Sequence, residues 1–131
     1  KRKDMVQAVL EGVAFAIRDC LEVAKASGIN VDMSTLCGGG AKSPLWQKIF
    51  ANVLNIPINI PKTEQGPGYG GAMLAMVGSG EFSNVKACAD EFIKIKSTIY
   101  PDKEIAERYE AQYLKYKKIY PSMKDLFKEI K

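Results

Sequence analysis

Thr35-Leu36-Cys37-Gly38-Gly39-Gly40-Ala41-Lys42-Ser43-Pro44-Leu45-Trp46 reads as a short buried strand that breaks into a glycine turn and reopens as a helix. Successive glycines reach φ > 0 and lack the Cβ atoms that would hold a ligand away from the main chain. Ser43 suits the N-cap and Pro44 the first helical position. N–H groups and the positive end of the helix dipole then face the turn, an arrangement worth about 0.3–1 kcal/mol for each exposed anion charge. Two readings follow from this local pattern: a cradle for phosphate or another anion, and a tight strand-to-helix connection that binds nothing. The run has neither the Walker A spacing nor the G-x-G-x-x-G fingerprint.

On the N-terminal side, Val6, Val9, Leu10, Val13, Ile17, Leu21 and Ala24 follow helical spacing over residues 5–26, with Arg18, Asp19 and Glu22 expected on the other side. Ser27-Gly28 closes that helix. It starts almost at the first residue, without a clear N-cap, as the helix of a chain cut from a longer one would. On the C-terminal side, the helix after Ser43 carries Leu45, Trp46, Ile49, Phe50, Val53 and Leu54 on one side and ends at Asn55. Residues 56–61 read as a second strand, kept short by Pro57 and Pro61. Strand, helix and strand within about 30 residues form the crossover unit of a parallel sheet. A parallel pair is not a stable sheet by itself, so further strands are expected N-terminal to Lys1.

A second glycine-rich run, Thr63-Glu64-Gln65-Gly66-Pro67-Gly68-Tyr69-Gly70-Gly71-Ala72, leads into an apolar helix that stops at Gly78-Ser79-Gly80. Its small residues, Gly70, Gly71, Ala72 and Ala75, lie inside the helix, which favours close helix packing over ligand contact. Residues 84–94 read as an amphipathic helix, Asp102 as an N-cap, and residues 104–120 as a helix. Pro121-Ser122 allows a break before a last helical segment with Met123, Leu126, Phe127 and Ile130. Tyr109, Tyr113, Tyr116 and Tyr120, spaced i, i+4, i+7 and i+11, form a packing seam and not a base-stacking platform. The expected organisation is an αβαβα core over residues 1–80 and a helical tail over residues 81–131.

Composition narrows the function. The 131 residues, 47% apolar and 26% charged, match one soluble globular domain, and no apolar run reaches the roughly 18 residues of a membrane span. A net charge of +4, spread along helical faces, lacks the pattern of a nucleic-acid groove. Cys20, Cys37 and Cys88 are too few and too far apart for a disulfide framework or a zinc site; they read as small buried apolar residues in a reducing cytoplasm. The chain has no histidine, which removes Ser-His and Cys-His nucleophile pairs and leaves carboxylates as the available general bases. A dinucleotide-binding oxidoreductase is disfavoured: the second strand ends in Ile60-Pro61-Lys62, with no acidic residue about 20 residues beyond the turn to hold a ribose.

Val9-Leu10-Glu11-Gly12-Val13-Ala14-Phe15, Gly38-Gly39-Gly40-Ala41-Lys42-Ser43 with Leu45-Trp46, and Gly66-Pro67-Gly68-Tyr69-Gly70-Gly71-Ala72, in that order and spacing, resemble the C-terminal part of the FGGY carbohydrate kinases, most of all the xylulose kinases among them. The resemblance runs over residues 1–80, and the tyrosine-rich tail is similar too. It implies an α/β fold, part of an actin-like (ribonuclease H-like) domain with parallel strands, crossover helices and a helical C-terminal tail. It also implies an ATP-dependent transfer of phosphate to a sugar hydroxyl. Residues 1–131 would be the last part of the second, nucleotide-binding domain. By resemblance, Gly39, Gly40 and Ala41 lie beside the ribose and α-phosphate, and Lys42, Ser43 and Pro44 border the adenine. The catalytic aspartate, the sugar-contacting residues and most magnesium ligands would lie upstream, so this chain alone is expected to be inactive, with the missing N-terminal part of the same enzyme as its partner. Kinases of glycerol, gluconate or ribulose are the near alternatives, and a non-catalytic actin-like interaction module is the alternative of another class. An open sheet edge and an uncovered helix face favour homo-oligomers.

Overall fold

The computed structural model describes residues 1–63 and 66–130; Glu64 and Gln65, in the second glycine-rich run, lie outside the described residues. The chain order is α1 (Arg2–Ala26), β1 (Ser34–Thr35), a 3₁₀ turn (Gly39–Lys42), α2 (Pro44–Leu54), β2 (Ile58–Pro61), α3 (Gly66–Gly78), α4 (Val85–Phe92), β3 (Ile95–Ile99) and α5 (Lys103–Glu129). The three strands lie in the order β1-β2-β3, β1 parallel to β2 and β3 antiparallel to it. β3 is the one strand the sequence reading did not place. Its Ile-Lys-Ser-Thr-Ile run is exposed over its first three residues, as an edge strand is, so it carries little apolar signal. It sits within an otherwise helical C-terminal region.

Local chemistry sets the boundaries of α2. Ser43 Oγ accepts the Trp46 N–H at 3.3 Å, Pro44 occupies the first turn, and Asn55 closes the helix in the left-handed region at φ 52°. Asp102 caps α5 by accepting the Ile105 N–H at 3.0 Å, while its own N–H donates to the buried Asn52 Oδ1 at 2.7 Å. That last bond pins the start of α5 to α2. Pro121 does not break α5, which runs through it to Glu129; Ser122 Oγ donates to the Lys118 carbonyl beside the proline.

The core lies on one face of the sheet. Ile58 and Ile60 of β2 meet Ile49, Phe50, Val53 and Leu54 of α2, Ala14, Phe15 and Leu21 of α1, and Tyr113 of α5. Phe15 is ringed by Tyr109, Tyr113 and Tyr116, with centroids 6.0, 6.0 and 5.2 Å away. The tyrosine stripe is thus a packing seam for three of its members; Tyr120 is exposed and reaches Phe127 instead.

Three expectations are corrected. Of the predicted α1 stripe, Leu21 is buried and Leu10 packs against the core, but Val6, Val9, Val13 and Ile17 are exposed, as is Leu45 of α2, and Ala14, Phe15 and Arg18 are buried instead. The α1 helix meets the core through its aromatic side, so its more regular aliphatic side stays uncovered. Cys20 and Cys37 are exposed; only Cys88 is buried. A Cβ added at Gly70 or Gly71 meets nothing within 4 Å, so the small residues of α3 serve no close helix packing among the described residues.

The seam also makes stability pH-dependent. Burial, followed by a hydrogen bond to the Glu11 carboxylate, pushes Tyr109 up to about 12. Burial and the Asp19 carboxylate push Tyr113 up as well, its hydroxyl donating to Asp19 at 2.6 Å. The fold favours the neutral phenol, so this stabilisation is complete below the ordinary tyrosine value of 10.0 and is lost as pH rises through the folded values. Urea midpoints measured from pH 8 to 12 are expected to fall above about pH 10, and less steeply in Tyr113→Phe; identical slopes in the two proteins would rule the seam out as the cause.

Candidate functional site

The glycine turn sits at the C-terminal end of β1, where open α/β sheets place their ligands. β1 is shorter and more exposed than the sequence predicts: only Ser34 and Thr35 pair with β2, and Thr35 is exposed. Leu36 N–H still donates to the Asn59 carbonyl at 3.0 Å, so the chain leaves the sheet only just before the glycines.

Each glycine of the turn has a different reason for being there. Gly38 has φ 87° and ψ −180°, a conformation confined to glycine. At Gly40 an added Cβ would lie 2.0 Å from Trp46 Cζ3 and 2.4 Å from Cε3. At Gly39 a Cβ would meet nothing within 4 Å, and its φ is unstrained. Only Gly39 therefore lacks an internal explanation and opens onto free volume.

The 3₁₀ turn closes with Ala41 N–H donating to Gly38 O at 3.0 Å and Ser43 N–H donating to Gly40 O at 3.1 Å. The N–H groups of Gly39 and Gly40 precede the first of these bonds, which leaves them as the donors available to an anion. The α2 terminus contributes less than the sequence suggests, because Pro44 has no N–H, the Ser43 N–H donates to the Gly40 carbonyl and the Trp46 N–H to Ser43 Oγ. Ala41 is buried and its carbonyl accepts Gln47 Nε2 at 2.5 Å. Lys42 and Pro44 are exposed and Ser43 is half-buried. Five of the six sequence-predicted residues thus reach the surface at the strand end, with Ala41 buried among them. Trp46, beneath Gly40, and Gln47, against Ala41, complete it. Sequence reading assigned Trp46 to the core and gave Gln47 no role, since neither contact has a spacing signature.

Two clefts flank the turn. One, about 380 Å³, is walled by Val13, Ile17, Leu36, Trp46, Phe50 and Leu54 and reaches Gly40 and Ala41. The other, about 330 Å³, lies between Ala41, Lys42, Gln47, Pro61, Lys62 and Lys96. Among the described residues neither is lined by a carboxylate, and no group of three or more Cys, Asp or Glu side chains is placed to hold a metal ion. The first cleft is thus mostly apolar and the second carries three lysines, and the described side chains of neither offer a carboxylate to magnesium. No helix among the described residues is long and apolar enough to cross a membrane.

Residues 1–79 match the C-terminal domain of the FGGY family of carbohydrate kinases. The chain belongs to that family. It is similar to the xylulose kinase of Bacillus subtilis, 35% identical over 95% of this chain and 25% of the relative. Its fold superimposes on a xyloylose kinase from Brucella ovis with a TM-score of 0.84, at 34% identity, over 96% of this chain and 26% of that one. The fold is shared as well with a glycerol kinase from Plasmodium falciparum solved with ADP, at a TM-score of 0.71 and 18% identity, covering 90% of this chain and 24% of that one. The chain spans about a quarter of the length of the relatives it matches. The actin-like α/β class implied by the sequence motifs is thus the class of its structural relatives.

Proposed function

We propose that this chain is the C-terminal, nucleotide-binding portion of a cytoplasmic sugar kinase that transfers the γ-phosphate of ATP to a sugar hydroxyl. The observation that carries the reading is the turn at the end of β1, with two unpaired N–H groups and one glycine, Gly39, that internal packing does not require. Gly39, Gly40 and Ala41 border the ribose and α-phosphate, and Lys42, Ser43 and Pro44 border the base. Xylulose is the acceptor, on the strength of the names of the most similar relatives; the glycerol kinase solved with ADP supports a nucleotide on this fold.

Within this reading the chain binds and orients; it does not catalyse. Taking the proton from a sugar hydroxyl needs a base, and among the described residues the clefts beside the turn present none. Magnesium, which bridges the phosphates in such transfers, is held by groups of the same enzyme outside this chain, as are the base and the sugar-contacting residues. The isolated chain transfers no phosphate.

Gly39 provides the cleanest test. Gly40→Asp would confuse loss of ligand with collision against Trp46, whereas a Cβ at Gly39 meets nothing within 4 Å. Gly39→Leu is expected to leave the melting temperature unchanged and weaken ATP binding about tenfold or more, a change of about 1.4 kcal/mol, in calorimetric titration of the chain. Equal affinity in the two proteins would remove the turn from the nucleotide site.

A further inference from the structure

A four-residue 3₁₀ turn does not hold its shape unaided, and its glycines widen the choice of conformations. The structure shows what confines it. The six-membered ring of Trp46 lies directly under Gly40, occupying the space a Cβ would take. That ring is held by two contacts, and the backbone that carries it by a third. Nε1–H donates to the Leu10 carbonyl of α1 at 3.3 Å, the ring packs on Phe50 with centroids 5.5 Å apart, and the Trp46 backbone N–H is held by Ser43 Oγ. A rigid aromatic plate anchored to α1 and α2 therefore forms the floor of the turn.

We propose that Trp46 is a positioning residue for the nucleotide turn: its indole, pressed against Gly40, keeps the Gly39 and Gly40 N–H groups aimed outward, and Gly40 is glycine because of the indole and not because of a ligand. This rests on the nucleotide reading above and adds a group that need not touch the nucleotide. It also ties the turn to α1 through the hydrogen bond from Trp46 Nε1–H to the Leu10 carbonyl.

The test uses Trp46→Leu, Trp46→Phe, Gly40→Ala and the double variant Gly40→Ala/Trp46→Leu, read by amide hydrogen exchange and ATP calorimetry. In Trp46→Leu the Ala41 and Ser43 amides, which close the turn, are expected to exchange at least about tenfold faster while the amides of β2 and α5 keep their protection. ATP affinity falls about tenfold, and Trp46→Phe, which restores a flat ring over Gly40, recovers most of both losses. Gly40→Ala weakens binding alone but adds nothing in the Trp46→Leu background, a non-additivity that a shared contact requires.

Unchanged exchange at Ala41 and Ser43 in Trp46→Leu overturns the proposal. So does an equal cost of Gly40→Ala in both backgrounds, which would place Gly40 against the ligand. Loss of protection throughout β2 and α5 overturns it as well, since Trp46 would then be general core. If the unaltered chain binds no ATP, the nucleotide reading fails separately, and the exchange measurements still decide the role of Trp46.

Discussion

Phe15→Ala is expected to cost about 3–5 kcal/mol, which is a large part of the roughly 5–15 kcal/mol that holds an ordinary domain together. Phe15 is 6% exposed and is the one α1 side chain that meets three rings of α5. Truncation removes the ring and leaves a void that Tyr109 and Tyr113 cannot close, because their hydroxyls are tied to Glu11 and Asp19 of α1. The lost aromatic pairs contribute about 0.5–1.5 kcal/mol each beyond area burial, so Phe15→Leu, which keeps part of the volume, is expected to fall between wild type and Phe15→Ala. Urea unfolding followed by the fluorescence of Trp46, the only tryptophan, measures both. A Phe15→Ala chain within about 1 kcal/mol of wild type would mean that α5 is not docked through this seam.

What the sequence revealed is what short-range chemistry decides. Ser43 and Pro44 open α2 and Asp102 caps α5 because a cap needs only a side chain within three residues of the N–H it accepts. The six candidate residues from Gly39 to Pro44 are consecutive in the chain, so the 3₁₀ turn and the α2 cap hold them side by side. The parts that stayed hidden depend on distant partners. β3 pairs with a strand more than thirty residues earlier, and its polar middle leaves no alternating pattern to detect. Spacing alone gave α1 a regular aliphatic stripe, yet the rings of α5 drew its other side into the core. Gly40 looked like a place where a ligand approaches, and only the fold shows that Trp46 already occupies that place.

The buried charge of Arg18 was the least legible feature and carries the second large expected effect. At 8% exposure it lies inside the α1, α2 and α5 packing, where the sequence pattern placed a solvated residue. Its Nη1 donates to the Val53 carbonyl at 3.1 Å, its Nη2 to Glu110 of α5, and its guanidinium carbon stands 4.2 Å from the centre of the Tyr113 ring. Val53 belongs to the last turn of α2, whose carbonyls have no partner within the helix, so the arginine is a cationic cap placed where the dipole favours one. Nε forms no hydrogen bond and is left with Glu22 at 3.7 Å.

These contacts predict an order and not a single number. Arg18→Ala loses the aliphatic stem, the cap, the ring contact and the ion pair, and is expected to cost about 3–5 kcal/mol. Arg18→Met keeps the stem but leaves the Val53 carbonyl bare, which is expected to cost about 1–3 kcal/mol. Glu110→Gln should cost less than either. The Glu110 side chain is 49% exposed, so water already screens the pair, and the amide oxygen can still accept the Nη2 hydrogen. Urea midpoints of the three variants measure the order. If Glu110→Gln proved as damaging as Arg18→Ala, the ion pair and not the helix cap would be holding α5 to the core; if Arg18→Met matched wild type, the buried charge would have no part in stability.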